Sequence, residues 1–297
     1  MSDKKTLPTV LRGWVEGEIG AVEHIRDTAS PRGNARGWEV VRADRCRFFL
    51  KVSPHPVAYE RETFALRHAA PALGGGRAPQ LRASSAHHLA LLTTGVHGRP
   101  VPEIPLTPAE EYETHRQGGL LLARLHAAGE LTGHRRLEAE QELYTTAEDA
   151  GRLLDQAGGR LTATEHGLVR RLAEHLRLAG PLQLGFIHGD AQPKNLLWSQ
   201  QAAWVGFGRA RFAPVVQDFV RMACGVWDGR PDLRTAFFRG YGRELTPQEG
   251  VALKCLAALD AVTALTRGDT HGDTHNDLHV SARGRRTLDR LTAGVFA

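Results

Sequence analysis

The spacing of apolar residues changes near residues 93–98, and this change constrains the fold more than any other feature of the chain. Before it, short apolar runs alternate with polar or glycine-containing turns, which is typical of an antiparallel meander. After it, apolar residues recur at helical spacing over long segments. We therefore expect an α+β fold with two lobes. Residues 1–95 would form a small antiparallel sheet with one helix, and residues 96–297 a larger, mainly helical lobe.

The first lobe is expected to have the element order β-β-β-α-β-β, after a lead-in that is helical around residues 10–15. Its predicted strands cover 21–26, 37–42, 47–52, 80–83 and 88–93, and its predicted helix covers 57–68. In the second lobe, Thr107, Pro108 and Glu110 have the pattern of a capping box, which predicts a helix from there to about residue 128. Further helices are predicted at 137–156, 164–178, 218–227, 233–241, 247–266 and 281–294, and short strands at 184–187, 196–198 and 203–207.

The composition excludes several classes of protein. Hydrophobic residues make up 41% of the chain and charged residues 24%, which excludes wholesale disorder. No apolar run approaches the ~18 residues of a membrane span, and the N-terminus lacks the apolar segment of a secretory signal. The three cysteines are widely spaced and form no CxxC pair, so they indicate neither a disulfide framework nor a zinc site. We expect a cytoplasmic protein without a membrane partner.

Positive charge is concentrated in the first third of the chain. Residues 1–100 contain 15 Lys and Arg against 9 Asp and Glu, whereas the whole chain has a formal net charge of +5. Such a surplus suits a polyphosphate ligand or a nucleic acid. The charges are scattered and aromatic residues make up only 6% of the chain, so neither a basic stripe nor a stacking platform is visible. Nucleic-acid binding is therefore the least favoured of these functions.

The strongest chemical signal is the segment from Phe186 to Leu197, which reads F-I-H-G-D-A-Q-P-K-N-L-L. It places Asp190 and Asn195 five residues apart, in a loop between two apolar runs. Phosphoryl transfer requires a carboxylate that accepts the proton of the attacking hydroxyl and an amide oxygen that binds magnesium close by. The kinase signature H-R-D-x-x-x-x-N has this spacing, with Gly189 here in place of its arginine. The alternative is an ordinary Asn/Pro turn above a buried histidine.

This loop resembles that of the aminoglycoside phosphotransferase family, a branch of the protein-kinase-like superfamily, whose usual form is H-G-D-x-x-x-x-N with an internal proline. The resemblance covers residues 21–294 and is densest over 184–221. It implies that Asp190 is the catalytic base, that Asn195 binds magnesium and that His188 is a structural histidine beneath the loop. ATP and Mg²⁺ are the cofactors that it implies.

Other parts of the nucleotide site follow from the same resemblance. Phe49-Leu50-Lys51-Val52 is similar to the third strand of a kinase first lobe, so Lys51 would hold the α- and β-phosphates of ATP. A lysine in an apolar strand needs a counter-charge. The following helix offers Glu60 and Glu62, of which Glu62 fits the family pattern better.

Two further segments of the first lobe would contact the nucleotide. Residues 28–36 occupy the place of the phosphate-covering loop without being glycine-rich in the usual pattern. The backbone N–H groups of that loop, including those of Ser30 and Gly33, are candidates for phosphate contacts; an ordinary hairpin loop is the alternative. Thr93, Gly95 and Val96 would form the hinge that pairs with adenine.

One position departs from the family pattern. The family has a strand ending in I-D-F or D-F-G, whose Asp is the principal magnesium ligand, where this chain has Val205-Gly206-Phe207-Gly208. A glycine offers no ligand, and magnesium usually takes one or two carboxylates in addition to phosphates. Asp218 is not an obvious substitute: it matches the Asp that opens the next helix and ties down the catalytic loop, and it is also a plausible helix N-cap.

Three functional hypotheses remain. The first is an ATP-dependent phosphotransferase that acts on a hydroxyl of a small molecule, antibiotic-like or a metabolite, or on Ser or Thr of a peptide, with its activity impaired by Gly206. The second is a catalytically inactive kinase-like protein that binds a nucleotide or a peptide partner. The third, a nucleic-acid-binding protein, depends only on the basic charge.

The acceptor of the first hypothesis stays open. Residues 250–297 contain 6 Lys and Arg against 5 Asp and Glu, which gives no strong field for a polycationic aminoglycoside. The oligomeric state stays open as well.

Overall fold

The first lobe is built on a five-stranded sheet. The computed structural model describes residues 6–28, 35–267 and 275–296. The strands of this sheet are β1 (Val22–Asp27), β2 (Arg36–Arg42), β3 (Arg47–Val52), β4 (Leu81–Ser85) and β5 (Ala90–Thr94). They are antiparallel throughout and lie in the order β1-β2-β3-β5-β4. The expected meander is therefore present, with β5 rather than β4 next to β3.

Helix α1 (Thr9–Ile19) packs against this sheet. The lead-in, predicted to be helical only around residues 10–15, is a complete helix of 11 residues, so the lobe has a second helix in addition to the predicted one. The reason is amphipathic spacing, because Leu11, Val15 and Ile19 recur every four residues and are all buried. They share an apolar core with Trp38 and Leu50 of the sheet, and this core is separate from that of the second lobe.

Helix α2 (Pro56–Phe64) and the turns that follow it lie where the two lobes pack together. The side chain of His55 caps its first turn by accepting the N–H of Ala58 at 3.2 Å. Beyond Phe64 the chain continues as a π-helical turn over Ala65–Ala69 and a 3₁₀ turn over Ala70–Leu73. The buried residues of these turns belong to the core of the second lobe, so α2 is held between the sheet and the helices below it.

The second lobe is mainly helical, as predicted, and the expected α+β class is confirmed. Its helices are α3 (Pro108–His126), α4 (Gly133–Glu148), α5 (Ala150–Ala157), α6 (Ala163–Arg177), α7 (Val220–Ala223), α8 (Pro231–Tyr241), α9 (Pro247–Arg267) and α10 (His275–Thr292). Its strands are β6 (Arg99–Pro100), β7 (Leu184–Ile187), β8 (Leu196–Trp198), β9 (Ala202–Trp204) and β10 (Arg211–Pro214). Strand β7 pairs with β10, and β6, β8 and β9 form a second small sheet. The predicted capping box is present, with Thr107 and Glu110 bonding each other's backbone N–H groups.

Several predicted elements differ from the structure: α10 begins at His275 rather than near residue 281, and β6 and β10 were not predicted. The helix predicted over 137–156 is interrupted at Asp149 and forms α4 and α5. The strand predicted to reach Phe207 ends at Trp204, because Gly206 has a φ of 85° and cannot continue a strand. The helix predicted from Asp218 begins with a 3₁₀ turn over Val215–Phe219. None of the helices within the described ranges is both long and apolar enough to cross a membrane.

Candidate active site

The loop that joins β7 to β8 is fixed from below by a buried carboxylate. Asp218 accepts the backbone N–H of His188 at 2.6 Å and that of Gly189 at 2.7 Å. Burial opposes ionisation of Asp218, but its hydrogen bonds outweigh this effect and lower its pKa. A charged carboxylate thus holds the first two residues of the loop in place. Asp218 does not cap α7, contrary to the N-cap that its sequence position suggested, since its oxygens point at the loop instead.

The same carboxylate is tied to two helices of the second lobe. His126, at the end of α3, lies 3.0 Å from Asp218 through Nε2, and its Nδ1 lies 2.8 Å from the hydroxyl of Tyr241 in α8. Only 1% of the His126 and Asp218 side chains is exposed. Because these bonds are shielded from water, they connect the loop firmly to α3 and α8 and restrict its movement.

His188 joins the loop to the segment after β9. Its Nε2 lies 3.0 Å from the carbonyl oxygen of Val205, and its Nδ1 accepts the backbone N–H of Asp190 at 3.3 Å. Burial lowers the pKa of His188, and these two bonds suit a neutral imidazole with its proton on Nε2. Its ring also packs against those of Trp204 and Phe207, at centroid distances of 5.3 and 4.8 Å. This environment is that of a structural histidine.

Asp190 lies within the loop, is only partly exposed, and is oriented by three neighbours. Asn195 donates through Nδ2 to Asp190 Oδ2 at 3.0 Å and to the Asp190 backbone oxygen at 2.8 Å. Gln192 donates to the other carboxylate oxygen, and Lys194 Nζ lies 3.6 Å from Oδ2. The Asp190 side chain is 16% exposed. It is therefore held in one orientation while staying within reach of a substrate hydroxyl, as a general base requires.

Gly189 occupies a position that admits no side chain. Its φ is 75°, and a Cβ atom there would lie 2.2 Å from the carbonyl oxygen of Arg209. An arginine, as in the kinase signature, would collide with this backbone. The glycine in H-G-D is thus required by the close approach of the segment after Phe207.

We expect Gly189→Ala to lower the free energy of unfolding by about 2–5 kcal/mol, through left-handed strain together with the collision. Gly229→Ala is the matched control, because Gly229 has a φ of 73° but open space where a Cβ atom would lie. That control is expected to lose about 1–2 kcal/mol from strain alone. Urea denaturation measures both, and equal losses would show that the contact with Arg209 is not limiting.

Lys51 and Glu62 form an ion pair across the first lobe. Lys51 Nζ lies 2.5 Å from Glu62 Oε2, and the Glu62 side chain is 8% exposed. Glu60, the other acid considered from the sequence, is exposed on α2. The pair therefore forms with Glu62, and it places the Lys51 ammonium group at the cleft between the lobes.

A cavity of about 380 Å³ lies between the lobes beside this pair. Its lining combines an apolar part, suited to a flat ring, with Lys51 and Arg36. The apolar side chains include those of Phe49, Leu66, Leu91, Val96, Leu197, Val205 and Phe207. Of the proposed nucleotide residues, Lys51, Glu62, Thr93 and Val96 line this cavity.

The expected hinge lies only partly at this cavity. Thr93 and Val96 line it, whereas the N–H of Gly95 is engaged by the carbonyl oxygen of Arg47 at 3.1 Å. The N–H of Gly95 is therefore not free for adenine. Ser30 and Gly33, the candidates in the phosphate-covering loop, lie outside the described residues.

Gly206 stands where the family pattern predicts a metal-binding Asp. A Cβ atom at this position would lie 3.3 Å from Asn195 Oδ1. Gly206 also lines the interlobe cavity, so a carboxylate there would face both Asn195 and the cavity. Gly208 is similar, since its Cβ would lie 3.3 Å from both Lys51 Nζ and Glu62 Oε2.

The donor set does not fit the magnesium site that the resemblance implies. Magnesium in proteins is usually held by one or two carboxylates together with substrate phosphates. Here Glu62 is paired with Lys51, Asp190 is held by Asn195 and Lys194, and Gly206 supplies nothing. In the part of the chain that the structure describes, no three His, Cys, Asp or Glu residues are grouped to hold a metal ion. Asn195 Oδ1 is the side-chain oxygen that lies nearest to position 206.

Sequence reasoning missed two polar side chains that contact Asp190. Gln192 and Lys194 occupy the variable positions of the motif, two and four residues after Asp190. Their types alone carry no signal, because either residue is common in solvated turns. Only the fold of the loop brings both onto the Asp190 carboxylate.

Several solved structures share this fold. An aminoglycoside phosphotransferase from Alicyclobacillus acidocaldarius subsp. acidocaldarius is 18% identical, with a TM-score of 0.61, over 99% of this chain and 97% of that one. A spectinomycin phosphotransferase in complex with ADP and spectinomycin is 13% identical, with a TM-score of 0.66, over 98% of both chains. A macrolide 2′-phosphotransferase from Brachybacterium faecium is 13% identical, with a TM-score of 0.58, over 97% of this chain and 96% of that one.

The solved structures show the fold, and a family model that matches the sequence assigns the family. Residues 29–259 match the model of the phosphotransferase enzyme family, abbreviated APH. No curated protein sequence matches the chain significantly. The resemblance inferred from the H-G-D loop is thereby confirmed, and so is the kinase-like fold.

Proposed function

Because this chain belongs to the phosphotransferase enzyme family, we propose that it transfers the terminal phosphate of ATP to a hydroxyl group of a second substrate. The observation that carries the proposal is the orientation of the Asp190 carboxylate by Asn195 and Gln192, on a loop fixed by Asp218. This arrangement presents a partly exposed base at a defined place beside the interlobe cavity. The alternative, an ordinary Asn/Pro turn above a buried histidine, would not require the hydrogen bonds that orient the Asp190 carboxylate.

In the proposed reaction Asp190 accepts the proton of the attacking hydroxyl. The hydroxyl oxygen forms a bond to the γ-phosphorus, and the bond between that phosphorus and the β–γ bridging oxygen breaks. ADP leaves with that oxygen, and the phosphorylated acceptor is the second product. Most of the catalysis in phosphoryl transfer is positioning and charge stabilisation, so the fixed geometry of the loop is the main contribution of Asp190 and its neighbours.

Nucleotide binding is assigned to the cleft beside Lys51. We assign the α- and β-phosphates to Lys51, with Glu62 as its positioning partner, and adenine to the apolar part of the cavity near Thr93 and Val96. The complex of the spectinomycin phosphotransferase with ADP supports an adenine nucleotide as the donor. In this proposal residues 1–95 are the nucleotide-binding lobe, including the backbone of Ser30 and Gly33, and residues 96–297 carry the catalytic loop and the acceptor site.

No step of the proposed transfer depends on a metal ion held by the protein. The expected magnesium ligand Asn195 instead orients Asp190 through Nδ2, and Oδ1 alone does not make a magnesium site. The role of Asn195 in this proposal is therefore to position the base.

For the acceptor we propose a hydroxyl of a small molecule, antibiotic-like or a metabolite, or of a peptide Ser or Thr. The solved structures of this fold include phosphotransferases for spectinomycin and macrolides, which supports the small-molecule class.

Gly206 favours a second candidate function. A kinase-like protein without this carboxylate can bind a nucleotide or a peptide partner and transfer nothing. In that case the interlobe cavity and the Lys51–Glu62 pair would be kept for binding alone.

Transfer of labelled phosphate distinguishes the two candidates. ATP labelled at the γ-phosphate is incubated with a panel of hydroxyl acceptors and with either the natural chain or Gly206→Asp. Labelled acceptor formed by the natural chain supports the first function. Labelled acceptor formed by Gly206→Asp alone supports the second function for the natural chain. If neither chain labels any acceptor although both bind ATP, the phosphotransferase proposal is wrong.

A further inference from the structure

We propose that this chain binds the triphosphate of ATP without a divalent cation, and that Lys194 provides the positive charge at the terminal phosphate. The inference rests on the proposed nucleotide site and adds the way in which its charge is balanced. It follows from the groups present at the cleft: two carboxylates, each of them next to a lysine, and a glycine where a third carboxylate is expected.

The carboxylates near the proposed phosphate site already have cationic partners. Glu62 is closely paired with Lys51 at 2.5 Å, whereas Lys194 lies 3.6 Å from Asp190 and is mostly exposed, so its ammonium group offsets part of the Asp190 charge and stays open to a further anion. A carboxylate at position 206 would add a negative charge that faces the cavity beside Asn195. Such a charge repels the tetra-anionic triphosphate unless a divalent cation lies between them. With Gly206 this repulsion between position 206 and the triphosphate is absent, so no cation is needed to offset it.

A metal ion would find few free ligands at the cleft. Both carboxylates there already accept bonds from cationic or amide donors, and Asn195 contributes a single neutral oxygen. A magnesium ion bound there would have to share a carboxylate with a lysine or depend on the phosphates and the Asn195 oxygen. The protein therefore gains little from the metal ion.

The ammonium group of Lys194 lies beside the proposed base. The Lys194 side chain is 62% exposed, and its Nζ stands next to Asp190 Oδ2, the oxygen that also accepts from Asn195 Nδ2 at 3.0 Å. The Asn195 side chain in turn lies next to Gly206, and Gly206 lines the cavity. An ammonium group has three donors, so Lys194 can contact a phosphate oxygen while it keeps Asp190 as a neighbour. In the proposed reaction Asp190 accepts the proton of the hydroxyl that attacks the γ-phosphorus. Lys194, which lies beside Asp190, would therefore act at that end of the nucleotide.

Calorimetric titration with ATP and with ADP tests the proposal, in excess MgCl₂ and in EDTA. The natural chain is expected to bind ATP with similar affinity in both buffers. Lys194→Gln is expected to weaken ATP binding about tenfold in both buffers, and ADP binding by clearly less. Lys254→Gln, at an exposed lysine of α9, is the matched control and should bind like the natural chain.

A second pair of variants restores the missing group. Gly206→Asp is expected to bind ATP more weakly in EDTA and to regain affinity with MgCl₂. Gly206→Asn has nearly the same shape and tolerates the left-handed backbone as well, but lacks the charge, so it should respond to magnesium far less. A similar magnesium response in Gly206→Asn and Gly206→Asp would contradict the charge argument.

Each remaining outcome is decisive. If EDTA reduces the affinity of the natural chain for ATP tenfold or more, the protein uses a divalent cation and the inference is wrong while the nucleotide site stands. If Lys194→Gln weakens ATP and ADP equally, or neither, the assignment of Lys194 to the terminal phosphate is wrong. Absence of nucleotide binding in either buffer overturns the proposed function together with this inference.

Discussion

The Asp218→Ala variant is expected to lose about 3–5 kcal/mol of its free energy of unfolding. The substitution leaves the N–H groups of His188 and Gly189 and the Nε2 of His126 without their shared acceptor. The Asp218 side chain is 1% exposed, so water cannot replace the carboxylate without opening the core. Urea denaturation followed by circular dichroism measures the loss.

Asp232→Ala is the control for this experiment. The Asp232 carboxylate is 52% exposed and pairs with Arg230 on the surface, and such pairs contribute about 0–1 kcal/mol. If Asp218→Ala is destabilised no more than this control, the carboxylate does not hold the loop.

Acid should reduce the difference between the natural chain and Asp218→Ala. The pKa of Asp218 in the folded protein is lower than its ordinary value of 3.8, so its contribution is complete above that value. As the pH falls below 3.8 and through the folded-state pKa, Asp218 takes up a proton and its contribution is lost. A difference that stays constant down to strongly acidic pH would mean that Asp218 is not charged in the folded protein.

Asp190→Asn is expected to lower the rate of phosphate transfer by about 10²–10⁴-fold, which is the usual contribution of a general base. The amide has almost the shape of the carboxylate but cannot accept the proton of the hydroxyl. The comparison is made in the natural chain or in Gly206→Asp, whichever transfers phosphate faster. Initial rates of labelled acceptor formation measure the effect.

Two readouts separate loss of the base from a structural fault. The unfolding midpoint of Asp190→Asn should stay close to that of its parent chain, because the amide has almost the shape of the carboxylate. Its ATP affinity should be at least that of the parent, because the substitution removes a negative charge near the proposed phosphate site. Asp289→Asn, at an exposed position of α10, should transfer phosphate at the parental rate. A variant of Asp190 that keeps more than about a tenth of the rate would show that another group accepts the proton.

The residues of the catalytic loop were predictable because they are close in sequence. His188, Asp190 and Asn195 lie within one short loop between two strands, so their spacing in the sequence already limits how far apart they can lie. The pairing of Lys51 with Glu62 was also expected, since a lysine of an apolar strand needs a counter-charge and the following helix offered two acids. Which acid faces the lysine is a matter of helix phase, and the structure places Glu62 there.

Other parts of the site join residues that are far apart in the chain. His126 and Asp218 are brought together by the packing of α3 against the loop, and nothing in either local sequence predicts that bond. The hinge is similar, because the engagement of the Gly95 N–H by Arg47 depends on the approach of β3. The inclusion of the π-helical turn after α2 in the core of the second lobe is a third case.

The α+β class, the change from sheet to helices near residues 93–98 and the H-G-D loop could be predicted from the sequence alone, since each depends on short-range periodicity or spacing. The resemblance also implied that Gly206 stands where the family pattern has a carboxylate. The surroundings of that glycine, Asn195 on one side and the interlobe cavity on the other, could not be predicted from the sequence. Charge balance at a cleft is a sum over groups from several elements, and their distances are set by packing rather than by their order in the chain.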